Sequence, residues 1–187
     1  MGRTSWDSMA WLCAMNLYLH GIGGEDSPID VADSLLSDRG VCVDIVLTNP
    51  SFGKKSSVTI TNSGAKEGSQ AENYNLQDFW ATTSNEQLNF LQHVRTILKI
   101  NGRAAIVIPD NVLFEGGSGE TVRRKLLKEC DVNTLLCLPT GVLYAQGVKA
   151  NLLFFDPKAA SEAPWTEKLW IYDLRTNKHF HPQDQSS

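Results

Sequence analysis

The sequence predicts an α/β domain with a largely parallel sheet. Two observations predict it. Short apolar runs rich in β-branched residues alternate with longer segments of helical periodicity. Those short runs are apolar without alternation, the pattern of strands covered on both faces.

Taken in order, residues 5–20 predict an amphipathic helix. Trp6, Met9, Cys13, Leu17 and His20 fall at helical spacing, with Ala10 and Leu12 alongside. Gly21, Gly23 and Gly24 end it. A short strand is expected at Pro28–Val31. Val41–Thr48 reads as a buried strand that stops at Asn49-Pro50. Residues 53–82 are rich in Ser, Asn, Gly and Lys and read as a long loop, of a length uncommon in a compact domain unless functional. Ser84–Ile100 is predicted helical, with Leu88, Leu91, Val94 and Leu98 on one face and Asn101-Gly102 closing it. Arg103–Pro109 is a second buried strand, Ser118–Cys130 a basic helix, and Val132–Leu138, Ala150–Asp156 and Lys168–Leu174 the remaining strands. No internal repeat is visible.

Composition bounds the function. At 187 residues, 42% of them apolar and 20% charged, the chain is long enough for one globular core. No apolar run approaches the roughly 20 residues that span a membrane. Met1 to Leu12 lacks the pattern of a secretory signal, so a cytoplasmic protein is expected. Cys13, Cys42, Cys130 and Cys137 have no metal-ligand spacing, and most sit in apolar surroundings that predict small buried hydrophobes. His179 and His181 stand close together without a Cys or carboxylate cluster, so no metal site is expected. A net charge of −4 does not fit a protein that grips DNA alone, because phosphate neutralisation dominates such affinity; a DNA role would need a partner or a local basic patch. Arg123, Arg124, Lys125 and Lys128 read as a solvated basic helix face. Gly116-Gly117-Ser118-Gly119-Glu120 lacks the Gly-Lys-Ser/Thr ending of a phosphate loop and reads as a strand-to-helix turn.

In open α/β sheets, ligands bind beyond the carboxyl ends of the strands. The first such end reads Asn49-Pro50-Ser51-Phe52-Gly53. Asn-Pro is also a plain strand terminator, but these residues have a chemical logic. The amino group of adenine is a weak nucleophile because its lone pair is delocalised into the ring. The side-chain carbonyl of Asn49 and the backbone carbonyl of Pro50 can each accept one of its N–H groups, favouring a tetrahedral nitrogen. Phe52 can stack on the base, which must leave the duplex to be reached.

Asn49-Pro50-Ser51-Phe52 resembles the Asn-Pro-Pro-Phe/Tyr motif of amino-methyltransferases. Further segments in the same order, Met15–Ile22, Gln87–His93, Pro109–Gly117, Leu138–Gly141 and Tyr144–Phe155, resemble the N6-adenine modification subunit of type I restriction–modification systems. The resemblance implies a Rossmann-like S-adenosylmethionine-dependent methyltransferase fold and that compound as methyl donor. It implies catalytic roles for Asn49, Pro50, Ser51 and Phe52, and a contact from Asp33 to the adenine moiety of the donor. DNA (through the complex), a specificity subunit and a restriction subunit are the implied partners. Ser51 departs from the usual second proline, which loosens the turn that aims Asn49. The Gly-rich donor loop of the family and the first strands of its sheet would precede residue 1. The fold is therefore expected to be incomplete: 1–175 a partial catalytic domain, with the long loop 53–82 within it, and 176–187 a tail.

The resemblance also places the family's central first strand beside 41–48. Without it, that edge is expected to pair with the segment near 29–32, or to drive self-association. The isolated chain is expected to bind the donor weakly and to be inactive alone. Two other readings are a non-catalytic remnant acting only in subunit interaction, and a glutamine or RNA methyltransferase.

Overall fold

The computed structural model describes residues 5–24, 26–31, 35, 40, 42–50, 52, 79–143 and 148–175. The chain divides into two compact units, 1–38 and 39–187.

In the first unit, helix α1 spans Ser5–Leu19. It ends as its glycines predict: Gly21 takes a φ of 70°, and Ile22 N–H donates to the Leu17 carbonyl at 2.9 Å. The expected amphipathic division is corrected, because Met9, Trp11, Leu12, Met15, Tyr18 and Leu19 are spread around the helix and all are exposed. The strand expected at Pro28–Val31 does not form. Pro28 has no N–H to give a ladder, and the Ile29 N–H donates to the Ser27 hydroxyl at 3.3 Å.

The second unit is a five-stranded sheet in the order β1-β2-β4-β3-β5. Its elements are β1 (Val43–Thr48), α2 (Glu86–Ile97), β2 (Leu98–Pro109), α3 (Asp110–Phe114), α4 (Ser118–Glu129), β3 (Cys130–Cys137), β4 (Ala150–Pro157) and β5 (Trp170–Asp173). β1 runs parallel to β2 and β3 parallel to β5, while β4 is antiparallel to both its neighbours. The sheet is thus mixed rather than largely parallel. No helix separates β3 from β4 among the described residues, so β4 returns beside β3 in the opposite sense. β1 lies at one edge, and β2 is its only strand neighbour among the described residues; of the segment near 29–32, residues 29–31 form no strand and residue 32 lies outside the described residues.

α2 begins where Asn85 caps it, accepting from the N–H groups of Gln87 and Leu88. It ends at Ile97, not at Ile100, and Asn101-Gly102 lies inside β2 instead of closing the helix. Val43 faces Leu98 but Ile45 faces Arg103, so β2 holds a bulge there. Asn101 accepts a φ of 64° within it. Gly102 is required: a Cβ would meet the Asp44 and Lys99 carbonyl oxygens at 2.9 Å. The Asn-Gly pair was read as punctuation, and the β-branched residues and cross-strand packing kept the chain extended around it.

α2, α3 and α4 all place buried residues in one cluster on one face of the sheet: Leu88, Leu91, Val94, Val112, Val122 and Leu126 meet Ile106, Ile108, Leu135, Leu153 and Phe155. Buried polar side chains of α2 hold the segment leading into it. Gln92 both accepts from Ala81 N–H at 2.9 Å and donates to the Ala81 carbonyl at 3.1 Å, and Asn89 donates to the Thr83 carbonyl at 2.9 Å. Glu129 receives the Trp80 indole N–H at 2.9 Å and pairs with Arg95 at 2.7 Å. Residues 80–83 are therefore pinned, while 53–78 and 176–187 lie outside the described residues. Of the cysteines, only Cys130 is fully buried, and burial pushes its thiol pKa up to about 12. Cys13 and Cys42 are exposed, contrary to the expectation of buried thiols.

Candidate functional site

Strands β1, β2, β3 and β5 point one way, so their carboxyl ends share one edge of the sheet. There Thr48, the last residue of β1, faces Ile106 of β2. Beyond it Asn49 is exposed, Pro50 is buried, and Phe52 is partly buried. Proline fixes its own φ, so the residue after the exposed Asn49 has little backbone freedom. Ser51 and Asp33 lie outside the described residues.

The same edge gathers the start of α2, α3, the end of β3 and the start of β4. Asn85, the α2 cap, donates from Nδ2 to Glu115 just past α3. α3 escaped the sequence reading: Gly116-Gly117 is a helix-to-helix turn, with Gly117 at a φ of 59° before α4, not a strand-to-helix turn. Along α4, Arg124 pairs with Glu120 at 2.8 Å, but Arg123 turns inward and donates to the Val112 carbonyl at 2.9 Å. Arg123 therefore leaves the expected solvated basic face.

The densest polar arrangement at this edge was also missed. Asp110, the first residue of α3, accepts from Arg175 at 2.8 Å and from Asn151 Nδ2 at 2.7 Å. Arg175 further donates to the carbonyls of Leu138 at 3.0 Å and Ala150 at 3.2 Å, and to Asn151 Oδ1 at 3.0 Å. Burial works to raise the Asp110 pKa, but the hydrogen bonds from Arg175 and Asn151 and the nearby positive charge outweigh it and hold the carboxyl below its usual range. The Arg175 guanidinium is correspondingly raised by Asp110. Asp110 and Asn151 lie within segments that carry the family resemblance, so a signal existed for them. Arg175, after the last strand, offered none. Among the described residues, no His/Cys/Asp/Glu group has metal-binding geometry, and no helix is long and apolar enough to cross a membrane.

A family model described as N-6 DNA Methylase matches residues 1–187. The type I restriction enzyme StySPI methylase subunit of Salmonella potsdam is 42% identical over 175 residues, 89% of this chain and 30% of that protein. The EcoKI methylase subunit of Escherichia coli (strain K12) has the same identity and coverage. Among solved structures, the EcoKI M protein matches with a TM-score of 0.72 and 39% identity, covering 94% of this chain and 35% of that one. A modification subunit of a type I restriction enzyme from Vibrio vulnificus matches with a TM-score of 0.66 and 30% identity, covering 89% and 33%. The chain thus spans about a third of the relatives it matches.

Proposed function

The chain belongs to the N-6 DNA methylase family, and from that premise we propose that the protein carrying it is a type I modification subunit that methylates the N6 amino group of adenine in DNA. The observation that carries this reading is the Asn49-Pro50 step: an exposed asparagine followed by a buried proline directly after the carboxyl end of β1. In this reading the Asn49 Oδ1 and the Pro50 carbonyl accept the two N–H groups of the flipped base. They favour a localised lone pair on the nitrogen, and Phe52 covers the ring face. S-adenosylmethionine would supply the electrophilic methyl group. The described residues fit the acceptor side of such a site, and none of them forms a cradle for the donor. Asp33 is proposed to touch the donor's adenine moiety, and Ser51 to complete the turn.

DNA reaches the site through a complex with a specificity subunit, and a restriction subunit completes the system in the cytoplasm. In this reading residues 1–175 form part of the catalytic domain, with 176–187 a tail. The test is methyl transfer to duplex DNA by the full subunit with its specificity partner. Asn49→Ala is expected to lower the rate by about a hundredfold or more while leaving donor affinity unchanged. A variant with near-normal turnover removes Asn49 from the mechanism.

A further inference from the structure

We propose that Arg175 is a positioning residue for this reaction, locking the ends of β2 and β3 and the start of β4 into one rigid rim at the sheet edge that carries Asn49-Pro50; the inference rests on the methyl-transfer reading above. The guanidinium presents its N–H groups in a fixed plane. Here they reach Leu138 at the end of β3, Ala150 and Asn151 at the start of β4, and both carboxylate oxygens of Asp110, where β2 passes into α3. Backbone bonds close the same joint: Leu138 N–H donates to the Ala150 carbonyl at 3.0 Å, and Asp110 N–H to the Lys149 carbonyl at 3.1 Å. One side chain therefore spans three strand ends and one helix start. The rim bears two exposed apolar side chains, Phe114 at the end of α3, 79% exposed, and Val142 beyond β3, 60% exposed. Both stand at the edge from which Asn49 projects.

Stability alone is a poor reason for such a cluster. A partly buried ion pair is often matched or bettered by apolar residues of similar size, because desolvation offsets the attraction. What a multidentate guanidinium supplies is geometry. The cluster lies at the carboxyl edge, where geometry matters to chemistry. A misplacement of about 1 Å at a reacting site can cost on the order of a hundredfold in rate.

The experiment uses the full subunit with its specificity partner and compares wild type with Arg175→Ala, Arg175→Lys and Asp110→Asn. Single-turnover methylation, KM for duplex DNA and thermal melting are measured, each with and without guanidinium ion well below denaturing levels. Arg175→Ala is expected to lower the methylation rate by about tenfold to a hundredfold, with KM changed by less than about twofold. Added guanidinium should restore part of that rate and leave wild type unaffected. Arg175→Lys should remain slow, because an ammonium offers three donors from a single point, whereas the planar guanidinium reaches Leu138, Ala150, Asn151 and both Asp110 oxygens. A rate within about twofold of wild type overturns the proposal, as does a loss that parallels melting and is not rescued. If Arg175→Ala does not fold, Asp110→Asn decides: a slow, normally melting variant supports the proposal, and any other result overturns it. Failure of the underlying reading is seen separately, as wild type that transfers no methyl group to adenine.

Discussion

The two faces of the sheet are equally apolar in sequence and unequal in structure. On one, Ile106, Leu153 and Leu135 stand in register across β2, β4 and β3 beneath α2, α3 and α4, and Phe155 beside them is 0% exposed. On the other, Leu47, Ala105, Phe154, Thr134 and Trp170 form a row across all five strands. Its inner members are partly buried, whereas Leu47 is 78% and Trp170 64% exposed. The helices of this unit all bury their residues on the first face. Continuous apolarity along a strand therefore reports the cover it is built to receive, whether or not its own unit provides that cover.

Truncating the two adjacent phenylalanines of β4 offers the hardest test of that contrast. Phe155→Ala should cost about 3–5 kcal/mol, as for a large side chain lost from a close-packed core. Phe154→Ala should cost less than half of that, read from chemical denaturation of both variants. Equal losses would mean that the second face is as well covered as the first. Next in size is Gly102→Ala, which forces a methyl group against two backbone carbonyls. A loss of about 1–3 kcal/mol is expected, and none would show that the bulge yields freely.

Acid separates the faces from the edge they share. Asp110 has a lowered pKa in the folded protein, so its stabilisation is present above the ordinary carboxylate range and is lost as pH falls through the folded value. The stability gap between wild type and Asp110→Asn should be widest near neutrality and narrow below that range, in denaturation measured at several pH values. A constant gap would deny the carboxylate its role. The smallest effect on stability belongs to Leu47→Lys, about 0.5 kcal/mol or less. Its signature is reduced self-association by light scattering, because it puts a charge on an exposed apolar face of the edge strand β1. Wild type that stays monodisperse at high concentration would show that the face needs no cover.

Much of the second unit was legible. The runs at 43–48, 103–109, 132–137 and 150–156 are strands because they alternate with helical periods and carry β-branched residues, and those signals are local. What escaped depended on contacts distant in sequence. Asn101-Gly102 resembles a helix stop until β1 pairs alongside it. α3 is five residues long, too short to show a period. Arg175 gains its meaning from partners distant in sequence, Asp110 among them at 65 positions away. In the first unit, periodicity placed α1 correctly but misjudged its surroundings, since spacing cannot say whether an apolar side chain has a neighbour. The proposed Asn49-Pro50 step could be singled out in the sequence because its chemistry lies in consecutive residues. The rim at the same sheet edge could not, because three strands and a helix contribute to it.

The bulge in β2 also fixes how far β1 reaches. Strands can shift past one another by two residues and keep the same side chains inward, a step of about 7 Å. Here such sliding would carry Gly102 away from Asp44 and bring a bulkier residue against that carbonyl. β1 thus has one permitted seat, like a key notched for a single lock. How far Asn49 projects past the sheet is set by that notch, at the opposite end of the strand from the residue whose aim it governs.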